Sequence, residues 1–244
     1  MAASESRLSL LVFGRNCGID FQATIDTIET VVSKYPTVEF QLVIVDDGSD
    51  DKFRRSVTVK EDIFSSVERI DLPQSLGISG AINTGTQYVK FEKMIWLPAS
   101  NMYGETAICN LIDYSRSADL VIGFRTNLTT ARPLVKIVSS LLVRGVMHLL
   151  TFHYISDFKG LNLYNTKDVR AWLNPNKAHG GDLVLLTQIL LRTNKVVQVP
   201  TPINELHNYR ESKIISDNWP SRKAIYSVIR GILTSAKIYR SKKN

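Results

Sequence analysis

A single α/β domain with a mostly parallel central sheet flanked by helices is the fold this sequence predicts, with a basic amphipathic helix at its carboxyl end. Short β-branched apolar runs that stop abruptly at glycine or acidic residues read as buried parallel strands. Between them, apolar residues recur at helical spacing. The length of 244 residues, with 44% hydrophobic and 22% charged residues, suits one globular α/β unit with a sizeable core. The expected division is a domain over 1–219 and a tail over 220–244.

The elements follow in order. Leu8 to Phe13 is an apolar run ending at Gly14-Arg15-Asn16, a first parallel strand with a polar loop at its carboxyl end. Asp20 is placed to cap a helix whose Ile25, Ile28, Val31, Val32 and Tyr35 share one face, and Pro36 marks its end. Leu42 to Val45 is the second strand, Lys52 to Ser66 a helix and loop, and Val67 to Leu72 a short strand closed by Pro73. Gly77, Gly80 and Gly85 surround a helix start. Lys93 to Leu97 and Asp119 to Gly123 are further strands, Pro133 to Leu150 a helix, Gly180 a helix start capped by Asp182, and Lys195 to Val199 a last strand.

In an open α/β sheet, ligands collect outside the carboxyl ends of the strands, so the loop after Val45 is where the chemistry is sought. Asp46 and Asp47 stand there, either to hold a hydroxyl- or amide-bearing ligand or as part of a solvated turn with Asp46 capping the next helix. At Gly77, Gly80 and Gly85, backbone N–H groups can approach a diphosphate, or the glycines serve close packing against the sheet. Asn83 has the matching choice between a ligand contact and a buried amide. Arg125, Arg132 and Arg144 lie around the helix that follows a strand end, where guanidinium groups bind phosphate bidentately; each taken alone also fits a surface arginine.

Composition excludes several classes. Cys17 and Cys109 stand far apart without metal-ligand spacing, which argues against a disulfide framework and a zinc site and fits a reducing compartment. The N-terminus lacks a basic region followed by an apolar core, and Lys136 and Arg144 interrupt the longest apolar segments short of a span, so the expected location is cytoplasmic, peripheral to the membrane face. Residues 1–221 hold 23 Lys+Arg and 23 Asp+Glu, whereas residues 222–244 hold seven basic residues and no acid, so the whole net charge of +7 sits in the tail. A nucleic-acid-binding body would carry its basic face on the domain, so nucleic acid is not an expected partner. In the tail, Ile225, Val228, Ile229, Ile232, Leu233, Ala236 and Tyr239 form one apolar stripe flanked by Arg222, Lys223, Arg230, Lys237 and Arg240. That is the pattern of an interfacial helix on an anionic membrane surface; packing on its own domain or on a second copy in a homo-oligomer is the alternative.

Four strings in one order resemble the family 2 glycosyltransferases of GT-A fold, and among them the polyprenyl- and dolichol-phosphate sugar synthases. Val45 to Asp51 is similar to the family's Val-Asp-Asp-Gly-Ser-x-Asp, Gly77 to Gly85 to its Asn-x-Gly-x-x-x-Ala-x-Asn-x-Gly segment, Asp119 to Arg125 to its Asp-x-Val-x-Gly-x-Arg, and Pro200 to Lys213 to its closing Val-Pro stretch with a downstream Arg-x-x-x-Lys. The resemblance covers about residues 8–213 and implies transfer of a sugar from a nucleotide-sugar donor. Asn16, Asp46, Asp47, Gly77, Asn83, Pro98 and Ser100 are the implied donor contacts, although the family's usual Pro-x-Tyr-Asn-Glu is reduced to Gly14-Arg15-Asn16-Cys17-Gly18 and has lost its acid. Arg125, Arg132, Arg144, Arg210 and Lys213 are the implied phosphate and acceptor contacts, and Asp157, in a segment similar to Asp-x-x-x-Gly-Phe-x-x-Tyr, sits near the reacting sugar or is a turn acid. Asp157 and Arg125 are thus the candidate catalytic pair. Asp182 is a second candidate acid near the acceptor, while His179 and His207 are set aside as structural.

The family holds Mg²⁺ or Mn²⁺ through an Asp-x-Asp motif, but here Pro98-Ala99-Ser100-Asn101 occupies that place. Ser100 and Asn101 offer neutral oxygens, so the expectation is a weakly held metal, an Arg or Lys clamp in its stead, or lost catalysis. The implied acceptor is a membrane polyprenyl phosphate. Transfer to a sugar hydroxyl of a glycan and a catalytically weak nucleotide-sugar binder are the rivals, and an unrelated nucleotide-binding α/β protein is disfavoured by the absence of a Walker loop or dinucleotide fingerprint.

Overall fold

The computed structural model describes residues 6–50, 57–127, 134–173, 181–193 and 195–204, with Arg230, Gly231, Leu233 and Thr234 of the tail. Strands β1 (Ser6–Gly14), β2 (Val38–Asp46), β3 (Ser66–Asp71), β4 (Lys93–Pro98), β5 (Leu120–Phe124), β6 (Asn162–Asn165) and β7 (Val196–Pro200) form one sheet in the order β3-β2-β1-β4-β6-β5-β7. All neighbouring pairs are parallel except β4 with β6 and β5 with β6, where β6 runs antiparallel. The mostly parallel sheet expected from the apolar runs is therefore present.

Alternation along the strands divides the core between the two faces, as period-2 side chains require. Leu8, Leu10 and Val12 of β1 and Phe40, Leu42 and Ile44 of β2 meet Ile25, Ile28, Val31 and Val32 of α1 (Ile19–Ser33) and Ile108 and Leu111 of α3 (Glu105–Asp113). Leu11, Val43 and Val45 point the other way, into a cluster with Ala81 and Ile82 of α2 (Gly77–Tyr88), Met147 of α4 (Leu134–Thr151), Val169 of α5 (Thr166–Trp172) and Leu185, Leu186 and Ile189 of α6 (Gly181–Leu190). Gly85 lets α2 approach the sheet closely: a Cβ there would lie 2.6 Å from Leu11 Cδ1 and 2.8 Å from Val45 Cγ2.

Some local expectations change. Helix α1 begins after Gly18, whose φ of 55° takes the N-cap position, so Asp20 lies inside the first turn rather than at the cap. Asp182 likewise falls in the first turn of α6, behind Gly181. Both acids still face the positive end of a helix dipole. Between β2 and β3 only a 3-10 turn, Glu61–Ile63, appears among the described residues, because residues 57–60 run alongside α1 and are tied to it. Thr58 N donates to Gln22 Oε1 and Lys60 N to Glu29 Oε1. In the tail, Arg230, Gly231, Leu233 and Thr234 are helical, and the rest of the predicted amphipathic helix lies outside the described residues.

Candidate active site at the carboxyl edge of the sheet

Parallel strand direction brings the ends of six strands to one edge. Gly14 pairs with Asp46, Phe13 with Pro98, and Phe124 with Pro200. Antiparallel β6 begins at this same edge, since Asn162 pairs with Ile122, so the loop carrying Asp157 opens there too. The edge therefore gathers Asn16, Asp46, Asp47, the Pro98–Asn101 loop, Arg125 and Asp157.

The first two loops are stitched together by side chains. Asn16, with φ 55°, donates from its backbone N–H to Ser49 Oγ at 2.9 Å and from Nδ2 to Asp50 Oδ2 at 3.2 Å. Asp50 N–H returns a bond to Asn16 Oδ1 at 2.9 Å. The Asn16 amide thus holds the β1 loop against the β2 loop. Asp46 Oδ1 accepts from Ser49 N–H at 2.7 Å, its other oxygen makes no hydrogen bond to a described residue, and the side chain is half-buried.

Asp47 behaves differently. It is buried, and its carboxylate accepts from Ser75 Oγ at 2.7 Å, Leu76 N–H at 2.7 Å and Gly77 N–H at 3.1 Å. Two orphan amides at the start of α2 are satisfied by an acid 30 residues upstream. The capping role that the sequence allowed for Asp46 belongs to Asp47, and the helix it caps is α2. Gly77 has φ 73° and nothing within 4 Å of where a Cβ would stand, so the backbone here is both turned and open on the ligand side. Asn83 is half-buried one turn and a half further on, and its amide makes no hydrogen bond to a described residue.

Arg125 and Asp157, the candidate catalytic pair, are paired with each other. Arg125 Nε donates to Asp157 Oδ2 at 2.6 Å and Nη2 to Oδ1 at 3.2 Å, with the side chains 6% and 18% exposed. Lys159 N–H donates to Asp157 Oδ1 at 3.0 Å. Burial pushes the Asp157 carboxyl up, but the hydrogen bonds and charge of Arg125 and the backbone N–H groups outweigh it, and the net shift is downward. A carboxylate held in this way is a weak proton acceptor.

The Pro98–Asn101 loop is pinned on every side. Ala99 N–H donates to Phe13 O at 2.8 Å, Asn101 N–H to Thr24 Oγ1 at 3.0 Å, and Asn204 Nδ2 to both Asn101 O at 2.8 Å and Asn101 Oδ1 at 3.2 Å. Asn101 Oδ1 thus already accepts one hydrogen bond, Ser100 Oγ is the other neutral oxygen offered by sequence, and no group of three or more His, Cys, Asp or Glu that could hold a metal occurs among the described residues. Neutral oxygens of this kind hold a Mg²⁺ or Mn²⁺ ion less strongly than a carboxylate pair does.

Arg144 is half-buried on α4 and makes no hydrogen bond or ion pair to a described residue. Arg132, Arg210, Lys213, His179 and His207 lie outside the described residues. Sequence reasoning missed Asn127 and Asn204. Asn127 exchanges two bonds with the backbone of Ile203, at 2.6 and 2.8 Å, and so fastens the segment after β7 to the loop after β5. Neither asparagine belongs to a motif, and only pairing across 76 and 103 residues reveals them.

Comparison with known proteins agrees with this edge. The profile of "Glycosyl transferase family 2" matches residues 16–134, a little under half of the chain and the part holding β2 to β5. No curated protein matches. Among solved structures, glucosyl-3-phosphoglycerate synthase from Mycobacterium tuberculosis in complex with Mn²⁺, UDP-glucose and phosphoglyceric acid superposes with a TM-score of 0.62 at 14% identity, covering 96% of this chain and 80% of that one. S. aureus TarS residues 1–349 superpose with a TM-score of 0.54 at 13% identity, covering 94% and 71%, and the complex of that protein with UDP-GlcNAc with a TM-score of 0.61 at 14%, covering 94% and 66%. By its sheet this chain has the GT-A fold of these solved structures, and its residues 16–134 resemble glycosyl transferase family 2.

Proposed function

We propose that this glycosyltransferase moves a sugar from a uridine-nucleotide donor to a membrane polyprenyl phosphate. The carrying observation is the Arg125–Asp157 pair. A sugar hydroxyl acceptor must lose a proton to a base as it attacks, whereas a phosphate is already ionised at neutral pH. Asp157, one of the two acids that the sequence offers for that base beside Asp182, is locked by two hydrogen bonds to Arg125 and lowered in proton affinity. Such an edge favours an acceptor that needs no base, with catalysis resting on orientation and charge stabilisation.

The lipid character of the acceptor draws support from α4 and the loop behind it. Leu149, Phe152 and Tyr154 are 75%, 87% and 74% exposed, with Leu141 and Leu142 also exposed, and they precede Asp157 directly in the chain. From 120 to 156 the sequence holds Arg125, Arg132, Lys136 and Arg144 and no acid. Exposed apolar side chains in a stretch of sequence that holds basic residues and no acid suit an anionic bilayer surface. No helix among the described residues is long and apolar enough to cross one.

For the donor, Asp46 holds the nucleoside through its unused oxygen, and the open backbone at Gly77 admits the diphosphate. The complexes of the similar proteins with UDP-glucose and UDP-GlcNAc support uridine as the base. No step is assigned to a metal. A thermal-shift panel of nucleotides and nucleotide sugars, each with and without Mn²⁺, tests the donor. At ~100 times its Kd a true donor adds ~2.7 kcal/mol of stability. Stabilisation by UDP and a UDP-sugar but not by adenine or guanine nucleotides is expected; indifference to all of them would refute the reading.

A further inference from the structure

A polar cavity lies at the opposite end of the sheet and has no part in the site above. It has a volume of about 480 Å³ and is walled by the first residues of β4, the approach to β5 and β7, and the junction of β6 with α5. Lys93 in its wall stands five residues along β4 from Pro98, about 17 Å at roughly 3.3 Å per residue. Lys90, Lys93, Arg116, Lys167, Arg170 and Lys195 line it, against only Glu92 and Asp119.

Ordinary basic surfaces neutralise their charge with carboxylates or leave it fully solvated. Here half-buried Lys93 and exposed Arg170 are held by backbone carbonyls instead. Lys93 Nζ donates to the backbone oxygen of Ala118 at 2.7 Å. Arg170 Nη2 donates to Thr86 O at 3.1 Å and Val89 O at 2.7 Å. Carbonyl partners fix the position of a cation without cancelling its charge. The nearby acid is partly withdrawn, since Asp119 Oδ2 accepts from Thr193 Oγ1 at 2.8 Å. Lys90 alone of the six is ion-paired among the described residues, to Glu68 at 2.9 Å. Partial burial pushes the Lys93 amine down, and the negative charges of Asp119, Glu92 and Asp168 oppose that without reversing it. A further negative charge in the cavity would therefore be welcomed.

We infer that this cavity binds a phosphate-bearing anion, of the size of a sugar phosphate or diphosphate, separately from the donor edge. Arg116, Lys167 and Lys195 are exposed at its mouth and supply mobile charge around the fixed Lys93 and Arg170. Volume and polarity suit a small phosphorylated molecule, and guanidinium with ammonium groups is the donor set that phosphate oxygens take. The inference is independent of which sugar or acceptor the enzyme uses.

The test is calorimetric titration of the full chain with inorganic diphosphate, in parallel with UDP, in buffers matched in ionic strength with NaCl. Saturable diphosphate binding is expected. It should weaken about tenfold in Lys93→Met and again in the double variant Lys167→Ala with Lys195→Ala, the cost of losing charged hydrogen bonds. UDP binding should be unchanged in both. The double variant alters only exposed side chains, so it decides the matter even where Lys93→Met fails to fold. Glucose 1-phosphate and phosphatidylglycerol vesicles are further arms: binding of either that is lost in the double variant supports the site and identifies whether a soluble ester or a headgroup presents the phosphate. Equal diphosphate affinity in the parent and the double variant, or binding that NaCl of matched ionic strength abolishes, would overturn the inference.

Discussion

At the scale of single residues, two adjacent acids do different work. Asp47 spends both oxygens on the start of α2, so Asp47→Asn should lower the melting temperature, by an amount equivalent to about 1–3 kcal/mol for weakened charge-assisted bonds. Asp46→Ala should leave the melting temperature nearly unchanged and weaken UDP binding; calorimetry with both variants separates these outcomes. The Arg125–Asp157 pair makes a prediction about pH. The folded carboxyl titrates below its unfolded value, so its stabilisation is fully present above the unfolded pKa of about 4 and is lost as pH falls through the folded pKa. Asp157→Asn should destabilise the protein at neutral pH by about 1–3 kcal/mol, because the buried Arg125 charge loses its carboxylate. The same variant should remove part of the acid sensitivity, which urea titrations at pH 7 and pH 3.5 would measure. Sequence singled out Asp46, Asp47, Arg125 and Asp157 as the groups of interest. It did not reveal that Asp157 answers Arg125 or that Asp47 serves α2, since these contacts join residues 28 to 32 apart through the fold.

At the scale of elements, legibility followed length and burial. β1, β2, β4 and β5 read as apolar runs because both faces of a central parallel strand are covered. β6 went unseen: Asn162-Leu163-Tyr164-Asn165 is too short to display a period, and its antiparallel direction is set by its neighbours rather than by its own residues. Helices α3 and α5, of nine and seven residues, were missed for the same reason. The Pro133–Leu150 helix was read correctly in extent, but its exposure was not, because apolar spacing alone does not say which stripe faces the core. Here Met147 is buried while Leu149 and Phe152 are out in solvent. If that surface meets lipid, Leu149→Glu with Phe152→Glu should reduce sedimentation with anionic vesicles several-fold without lowering the melting temperature. Truncation after Trp219 should reduce it further, at about 1 kcal/mol for each basic residue near the surface, and binding should fall with salt. Equal sedimentation of all three proteins would remove the membrane from the account.

At the scale of the whole molecule, a parallel sheet with one reversed strand delivers the loops after β1 and β2, the Pro98–Asn101 loop and the Arg125–Asp157 pair to a single edge, and the family match falls on the segment that builds most of it. The similar synthase was crystallised with Mn²⁺, whereas this chain offers Ser100 and an Asn101 already bonded to Asn204. Turnover should accordingly change little between EDTA and millimolar Mn²⁺, and Ser100→Asp should create measurable Mn²⁺ affinity; a strict metal requirement in the parent would contradict this. The most direct measurement is transfer of radiolabelled sugar from the UDP-sugar that stabilises the protein, with a polyprenyl phosphate in vesicles as acceptor, beside the same polyprenol without its phosphate and beside soluble sugars. The account predicts label in the lipid extract with the phosphate alone. Label on the polyprenol or on a sugar hydroxyl, with none on the polyprenyl phosphate, would contradict it.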